Sequence, residues 1–421
     1  MKVLWIVNKP IGALHENLFG KKATGGLWME AMLEKARQDK SMKIVIVNIS
    51  NVDRIRKYVY ENEIYYTIPG VPNANYNYKS KDARKYWRTI IKTESPDIIE
   101  LWGTEMPFGI PALEEAGNIP SVVYVQGILD SIGRYYQAGL TASEIRRSFT
   151  IHDVITCSTI RRTQKNYLRR ASIEAKLANM FKNVIVENQW AESYYMRMCR
   201  DVQVYKCPLS ISNAFFSVNW QADKMQPYTI MCSAANYPIK GLHMLLKALT
   251  IVKSYYPDVK LFIPGTPLRP VNSIKSWIKQ GGYDKLIHTM INDLDLRDTV
   301  SYTGRLTAEG MAKKMAEVNV FVMCSAIENH SSTLKEAMSV GVPCVASYVG
   351  GVPEYAHNRE NCLLYRFEDY EHLALNLINL FRSQELCCRL SSQSRLDMKN
   401  SREQNDFYQI SKEIYQAILN K

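Results

Sequence analysis

A chain of 421 residues with 46% apolar content is long enough for two or three packed domains, and no apolar run reaches the length that would cross a bilayer. Its formal charge of +12 lies mostly in the first half: residues 1–210 hold 30 Lys/Arg against 21 Asp/Glu, a net +9, which leaves +3 for the remainder. That balance points to an anionic partner, and since no nucleic-acid motif is present, nucleic acid is not expected.

The elements alternate short apolar runs with amphipathic ones, the pattern of a parallel α/β architecture. Val3–Val7 reads as a first strand. The short apolar run behind Met1-Lys2 lacks the length and cleavage site of a signal peptide. A loop containing Gly20 and Gly25-Gly26 follows, then a helix from about Leu27 and a strand Ile44–Asn48. Tyr58–Ile68 looks like a hairpin or an extended excursion, closed by Pro69-Gly70. A basic helix is expected from Ala83 to Lys92, then strands at Ile98–Leu101 and Val122–Val125. Residues 160–182 form an amphipathic helix with Arg161, Arg162, Lys165, Arg169 and Lys176 on one side. Ile160, Tyr167, Leu168, Ala171, Ala175 and Ala178 fall on the other side.

A second doubly wound unit begins after Pro227, with a strand Ile230–Ser233, a helix Gly241–Tyr256 and strands Val259–Ile263 and Val300–Tyr302. Glu368–Arg395 reads as helical, and a last amphipathic helix runs from about Gln404 to Asn420. The expected division is a first domain 1–210 joined by the C-terminal helix 404–421, a linker 211–226 and a second domain 227–403. Nine cysteines between Cys157 and Cys388, odd in number and without C-x-x-C, read as reduced core residues of a cytoplasmic protein.

The stretch that organises the second unit is FVMCSAIENHSSTLKEAMSVGVPCVASYVGGVPE, Phe321 to Glu354. A buried strand, Val318 to Met323, leads through a polar loop, Ser325 to Ser332, into a helix from about Thr333 to Gly341. A helix N-terminus binds anions through unpaired N–H groups and its positive dipole end. Here the amides of Ser332, Thr333, Leu334 and Lys335 would hold a diphosphate. Glu336, one turn in, would reach a ribose diol, and Glu328, separated from it by seven residues on the loop side, would reach a group beyond the phosphates. The competing reading is a capping box, with Thr333 and Glu336 folded onto their own helix start.

This block, through GGVPE, resembles the C-terminal signature of family 4 retaining nucleotide-sugar glycosyltransferases of the GT-B fold, as made in bacterial polysaccharide biosynthesis. The resemblance implies two Rossmann-like domains facing each other across a cleft. It implies that Glu328 binds the donor sugar and Glu336 the ribose. Tyr237-Pro238-Ile239-Lys240-Gly241 resembles the family's Lys-Gly segment, so Lys240 is expected on the leaving diphosphate. Where the family has an Arg six residues before that Lys, Ala234 stands, and Arg305 either supplies the second charge or only lies near the base. Gly25-Gly26 resembles the glycine loop facing the donor phosphates, though a plain turn is the alternative. Gln126 occupies the place where many relatives carry a His near the transferred sugar. Gln does not titrate, so no acid/base role is read there.

The expected activity is retaining transfer from a nucleotide sugar, UDP-sugar ahead of GDP-sugar, to a glycan or lipid-linked glycan of a surface polysaccharide. No metal is expected. Asp293-Leu294-Asp295 spells D-x-D but reads as a solvated helix end. The rival readings are a nucleotide-sugar epimerase of the same fold and a non-catalytic nucleotide-sugar binding protein. The basic face Arg161, Arg162, Lys165, Arg169 and Lys176 would rest on anionic lipid, placing a cytoplasmic protein peripherally on the inner face of the cell membrane.

Overall fold

The computed structural model describes residues 1–20, 27–232, 236–266 and 274–421. These pack as two units. One is Met1–Asp130 with Arg169–Ser210 and Asn405–Lys421; the other is Ser131–Leu168 with Ile211–Gln404.

The first unit is built on eight strands: β1 (Lys2–Val7), β2 (Lys43–Ser50), β3 (Arg56–Tyr60), β4 (Glu63–Pro69), β5 (Ile98–Trp102), β6 (Ser121–Tyr124), β7 (Asn183–Val186) and β8 (Gln203–Lys206). Their order is β3-β4-β2-β1-β5-β6-β7-β8. All pairs are parallel except β3–β4. The central strands β1, β2 and β5 are buried almost throughout, which is why they appear in the sequence as unbroken apolar runs. The hairpin expected at Tyr58–Ile68 is present, and its outer strand β3 is largely exposed and carries Arg56 and Lys57, charges that discourage pairing with another chain. The stretch after β1, expected as a loop, contains a helix, Gly12–Phe19. The C-terminal helix Phe407–Leu419 covers one face of this sheet with Phe407, Ile414, Tyr415 and Ile418, against Trp5, Trp102 and Tyr124. Asp406 caps it, accepting from the Tyr408 and Gln409 amides at 3.0 and 3.3 Å.

The second unit holds β9 (Gln226–Cys232), β10 (Lys260–Pro264), β11 (Val300–Gly304), β12 (Val318–Met323), β13 (Cys344–Ser347) and β14 (Leu363–Tyr365). The sheet is parallel, in the order β11-β10-β9-β12-β13-β14. The order reverses between β9 and β12, and in such sheets ligands bind beyond the carboxyl ends of the strands at that reversal. Glu368–Arg395 is two helices rather than one, Tyr370–Arg382 and Gln384–Gln404, parted at Ser383.

Residues Ser131–Leu168 pack with the second unit, although their place in the sequence assigned them to the first. Several polar contacts fasten them. Lys247 Nζ lies 2.8 Å from Glu144 Oε1. The Gly282 amide donates to Asp153 Oδ2 at 2.9 Å. Buried His243 bonds the Ala138 carbonyl through Nε2 at 2.7 Å and the Tyr283 hydroxyl through Nδ1 at 3.0 Å. Burial holds the His243 pKa down to about 4, so these are bonds of a neutral ring.

The helix Ile160–Ala178 departs from its expected apolar face: Leu168 is exposed, while Glu174 and Leu177 are buried. Glu174 tolerates this because its carboxyl accepts from the Thr104 hydroxyl at 2.9 Å and the Leu129 amide at 2.8 Å. Burial raises its pKa to about 8.

Candidate functional site

The reversal between β9 and β12 is where the expected site residues gather. After β9 the chain makes a short turn, Pro238–Lys240, and reaches Gly241 in a left-handed conformation (φ 73°). A Cβ on Gly241 would stand 1.8 Å from the Cys324 carbonyl oxygen, so the segments following β9 and β12 are pressed backbone to backbone. The Ala326 amide donates to the Ile239 carbonyl at 2.7 Å and locks that contact.

This closeness brings Lys240 to Glu328. Lys240 Nζ donates to Glu328 Oε1 at 2.5 Å, and the Ser325 hydroxyl donates to the same oxygen at 2.6 Å. Both charged side chains are mostly enclosed, 25% and 14% exposed. Burial by itself would lower the Lys240 pKa, but the Glu328 carboxylate outweighs it and the net shift is upward. The loop bearing Glu328 is held from two further sides. Ser347 Oγ donates to the Ser325 carbonyl at 2.6 Å, and the Gly351 amide donates to the Glu328 carbonyl at 3.2 Å. Gly350 is left-handed (φ 52°), and a Cβ there would fall 1.8 Å from the Glu328 carbonyl oxygen. The paired glycines of GGVPE thus form a backing for the glutamate loop.

The helix expected from Thr333 runs Ser332–Val340 and ends on left-handed Gly341. Its cap is Ser331, whose hydroxyl accepts from the Leu334 amide at 3.4 Å. The Thr333–Glu336 capping box is therefore not formed: the helix starts one residue earlier and Thr333 is already inside it. Glu336 is half-buried one turn in, and among the described residues its carboxyl makes no hydrogen bond or ion pair. Burial pushes its pKa up to about 7. Of the first-turn amides, Ser332 donates to His330 O at 3.0 Å and Lys335 to Ser331 O at 3.2 Å.

Three side chains that the sequence did not single out furnish this helix start. Lys335 Nζ lies 4.6 Å from the centroid of the Tyr355 ring, the His330 ring lies 5.5 Å from it, and the Tyr355 hydroxyl donates to the Ser331 carbonyl at 3.4 Å. Burial, with Lys335 nearby, holds His330 well below the ordinary histidine range. Tyr355 directly follows GGVPE, the one signal that would have found it.

The other expected residues lie apart. Arg305 is exposed just past β11, two strands from β9, or roughly 10 Å by ordinary strand spacing. Gln126 belongs to the first unit, half-buried just past β6. Beside it the Gly127 amide donates to Glu105 Oε1 at 2.6 Å, and burial raises the Glu105 pKa. Gly25, Gly26 and Ala234 lie outside the described residues. Asp293 pairs with Arg147, and Asp295 Oδ2 with Lys253 Nζ at 3.0 Å, as befits a helix end. An open concavity of about 410 Å³ at the β10–β11 edge is lined by Phe262, Tyr302, Lys313 and Lys314; Lys240, Glu328 and Glu336 take no part in it.

Residues 214–397 match the family model of glycosyl transferases group 1. The fold of the whole chain is GT-B: it is similar to sucrose-phosphate synthase from Thermosynechococcus elongatus (15% identity, TM-score 0.67, 99% of this chain and 98% of that one). It is likewise similar to Anabaena Alr3699/HepE in complex with UDP-glucose (16% identity, TM-score 0.65, all of both chains). In sequence it is 30% identical over 132 residues to the GDP-mannose-dependent α-(1-6)-phosphatidylinositol monomannoside mannosyltransferase of Mycolicibacterium smegmatis, covering 30% of this chain and 31% of that protein. The matches to curated relatives span less than half of each relative's length.

Proposed function

We propose that this protein is a retaining glycosyltransferase that moves a sugar from a nucleotide sugar to a glycan or lipid-linked glycan acceptor in surface-polysaccharide assembly. The observation that carries the reading is the Lys240–Glu328 pair at the strand-order reversal, within the segment that matches the group 1 model, with Glu336 one turn into the helix that follows the Glu328 loop. Glu336 accepts from the ribose diol. Glu328 accepts from hydroxyls of the donor sugar while Ser325 keeps it oriented. Lys240 holds the diphosphate at the positive end of the helix, with the Thr333 amide as its backbone donor, since the Ser332, Leu334 and Lys335 amides already donate within the chain, and Arg305 adds charge at the rim. As the bond from the anomeric carbon to the phosphate oxygen breaks, the acceptor oxygen bonds to that carbon on the same face. The acceptor's proton passes to the departing phosphate, so no protein base is needed and configuration is kept.

UDP-sugar is the favoured donor: the similar HepE structure is a complex with UDP-glucose, while the mycobacterial mannosyltransferase is GDP-mannose-dependent. By the resemblance, Gln126 and Gly25-Gly26 are further candidates for donor contacts, Gly25 and Gly26 lying outside the described residues. No helix of the described residues is long and apolar enough to cross a membrane. The lipid-linked acceptor is reached from the surface, with Arg161, Arg162, Lys165, Arg169 and Lys176 against anionic lipid. The test is incubation of the purified protein with a panel of UDP- and GDP-sugars and lipid-linked acceptors, with products read by mass spectrometry. Transfer with retained configuration is expected. Absence of both donor binding and donor hydrolysis across the panel would overturn the reading.

A further inference from the structure

Nineteen large apolar side chains are exposed among the described residues, and six of them fall on two short segments of the second unit: Phe149, Ile151, Val154, Ile155, Trp277 and Ile278. The segments are the turn and helix around Ile151–Ile155 and the helix Ile274–Ile278. They are tied together just behind these side chains. The Gly282 amide donates to Asp153 Oδ2 at 2.9 Å, and Lys285 Nζ donates to the Phe149 carbonyl at 2.9 Å. Around residue 150 the usual pattern is inverted. Ser148, Thr150 and Asp153 are buried, while Phe149, Ile151, Val154 and Ile155 point to solvent, Ile155 71% exposed. The inversion is held by the protein's own bonds, because Thr150 Oγ1 caps the turn from the Asp153 amide at 3.2 Å and the Asp153 carboxyl is used inward. An apolar cluster fixed outward in this way marks an interaction surface.

The rim of the cluster selects its partner. Residues 146–165 carry Arg146, Arg147, Arg161, Arg162 and Lys165 against Asp153 alone, which is buried. Arg147 is paired with Asp293; Arg146, Arg161, Arg162 and Lys165 are exposed, with no ion pair among the described residues. A second copy of the chain would set this basic rim against itself. An anionic bilayer offers hydrocarbon to the Phe, Ile and Trp side chains and phosphate to the Arg and Lys side chains at one depth. We propose that Phe149–Ile155 and Trp277–Ile278 enter the headgroup region of an anionic membrane, with Arg146, Arg161, Arg162 and Lys165 on the lipid phosphates around them. This deepens the membrane part of the proposed function and rests on that part, not on the donor chemistry.

Cys157, exposed two residues beyond Ile155, provides a probe once the other exposed thiol is removed by Cys388→Ser. A polarity-sensitive fluorophore on Cys157 should shift to the blue with phosphatidylglycerol-containing vesicles and not with pure phosphatidylcholine. Lipids brominated on their acyl chains should quench it. Phe149→Ser with Ile155→Ser should lower vesicle affinity by about tenfold or more and abolish the shift. Both side chains are exposed, so thermal unfolding and donor hydrolysis should stay as in the parent. Vesicle binding that salt removes, with no fluorescence shift and no effect of the two serines, would overturn insertion and leave charge-only docking. No vesicle binding at low salt would overturn both. Self-association abolished by the serine variant would make the cluster an interface between copies instead. Failure of donor hydrolysis in the parent protein would count against the proposed chemistry without touching the vesicle result.

Discussion

Lys240 and Glu328, 88 residues apart in sequence, share one hydrogen bond of 2.5 Å at the meeting of β9 and β12. Each is the counter-charge that makes the other affordable in an enclosed place, since an isolated buried ion would be strongly disfavoured. The pair also stores a choice. On the proposed function, an arriving diphosphate would compete for the ammonium, and the released carboxylate, still held by Ser325 at 2.6 Å, would become an acceptor for sugar hydroxyls, making ligand binding and orientation of Glu328 one event.

Lys240→Ala should accordingly lower turnover of donor hydrolysis by about 10²–10³-fold, the usual scale for removing one group that stabilises a developing charge. Glu328→Gln should lower it too, and the double variant should fall short of the sum, because the two residues are in contact. Steady-state kinetics of the three variants decides. Near-normal turnover in Lys240→Ala would place the diphosphate on Arg305 or the helix amides.

Glu336 gives a pH signature. Its pKa is raised by burial to about 7, so the folded chain favours the neutral acid. The sign follows: this contribution to stability is complete below the unfolded carboxyl's range and is lost as pH rises through about 7. Donor binding runs the other way, because the ribose diol needs the carboxylate as acceptor. Calorimetric titration should show affinity rising as pH passes through about 7, since the doubly esterified diphosphate of a nucleotide sugar does not itself titrate there. Glu336→Gln should flatten that profile, and Glu336→Ala should weaken binding by about 1.5–3 kcal/mol. A flat wild-type profile with unchanged affinity in the variants would remove Glu336 from the ribose.

The strands were legible because parallel strands buried on both faces leave continuous apolar runs, and Val318–Met323 appears in the structure with the same ends. The E-x7-E block was legible as a strand, loop and helix, but its cap was not. Ser331 and Thr333 are both competent caps, and local chemistry does not choose between them; the packing that starts the helix at Ser332 does. The Lys240–Glu328 pair was out of reach for another reason. It depends on the strand order that sets β9 beside β12, and no local pattern states strand order. The same holds for Ser131–Leu168, whose attachment to the second unit rests on Asp153, Glu144 and Ala138 meeting residues more than a hundred positions away.

Gly350→Ala should act on the site through the backbone. The added Cβ would lie 1.8 Å from the Glu328 carbonyl oxygen, at a left-handed position. Relief requires moving the glutamate loop, which separates Glu328 from Lys240. Donor affinity and turnover should both fall sharply. Gly310→Ala is the control: its added Cβ meets nothing closer than 3.5 Å, so it should change neither. Equal kinetics for Gly350→Ala and the control would show that the loop yields without disturbing the pair.

The last prediction concerns the C-terminal helix and tests the first unit alone. Glu100 is completely buried on central strand β5, where burial raises its pKa to about 8, opposed by the hydrogen bond from the Tyr415 hydroxyl. Trp5 Nε1 in turn donates to that hydroxyl at 3.3 Å. At neutral pH Glu100 is therefore mostly the neutral acid. The stability this gives is complete below the unfolded carboxyl's range and is lost as pH rises from there to about 8, so over that window the wild type should lose stability that the Gln variant, which cannot ionise, keeps. Tyr415→Phe removes the donor and leaves Glu100 Oε2 without it, beside Oε1, which already has no partner among the described residues. That change should destabilise by about 1–3 kcal/mol and increase hydrogen exchange along Phe407–Leu419 and β5, while donor binding is unaffected. Thermal unfolding of the variants as a function of pH is the measurement. Parallel pH profiles for wild type and Glu100→Gln would mean that Glu100 does not titrate in this range.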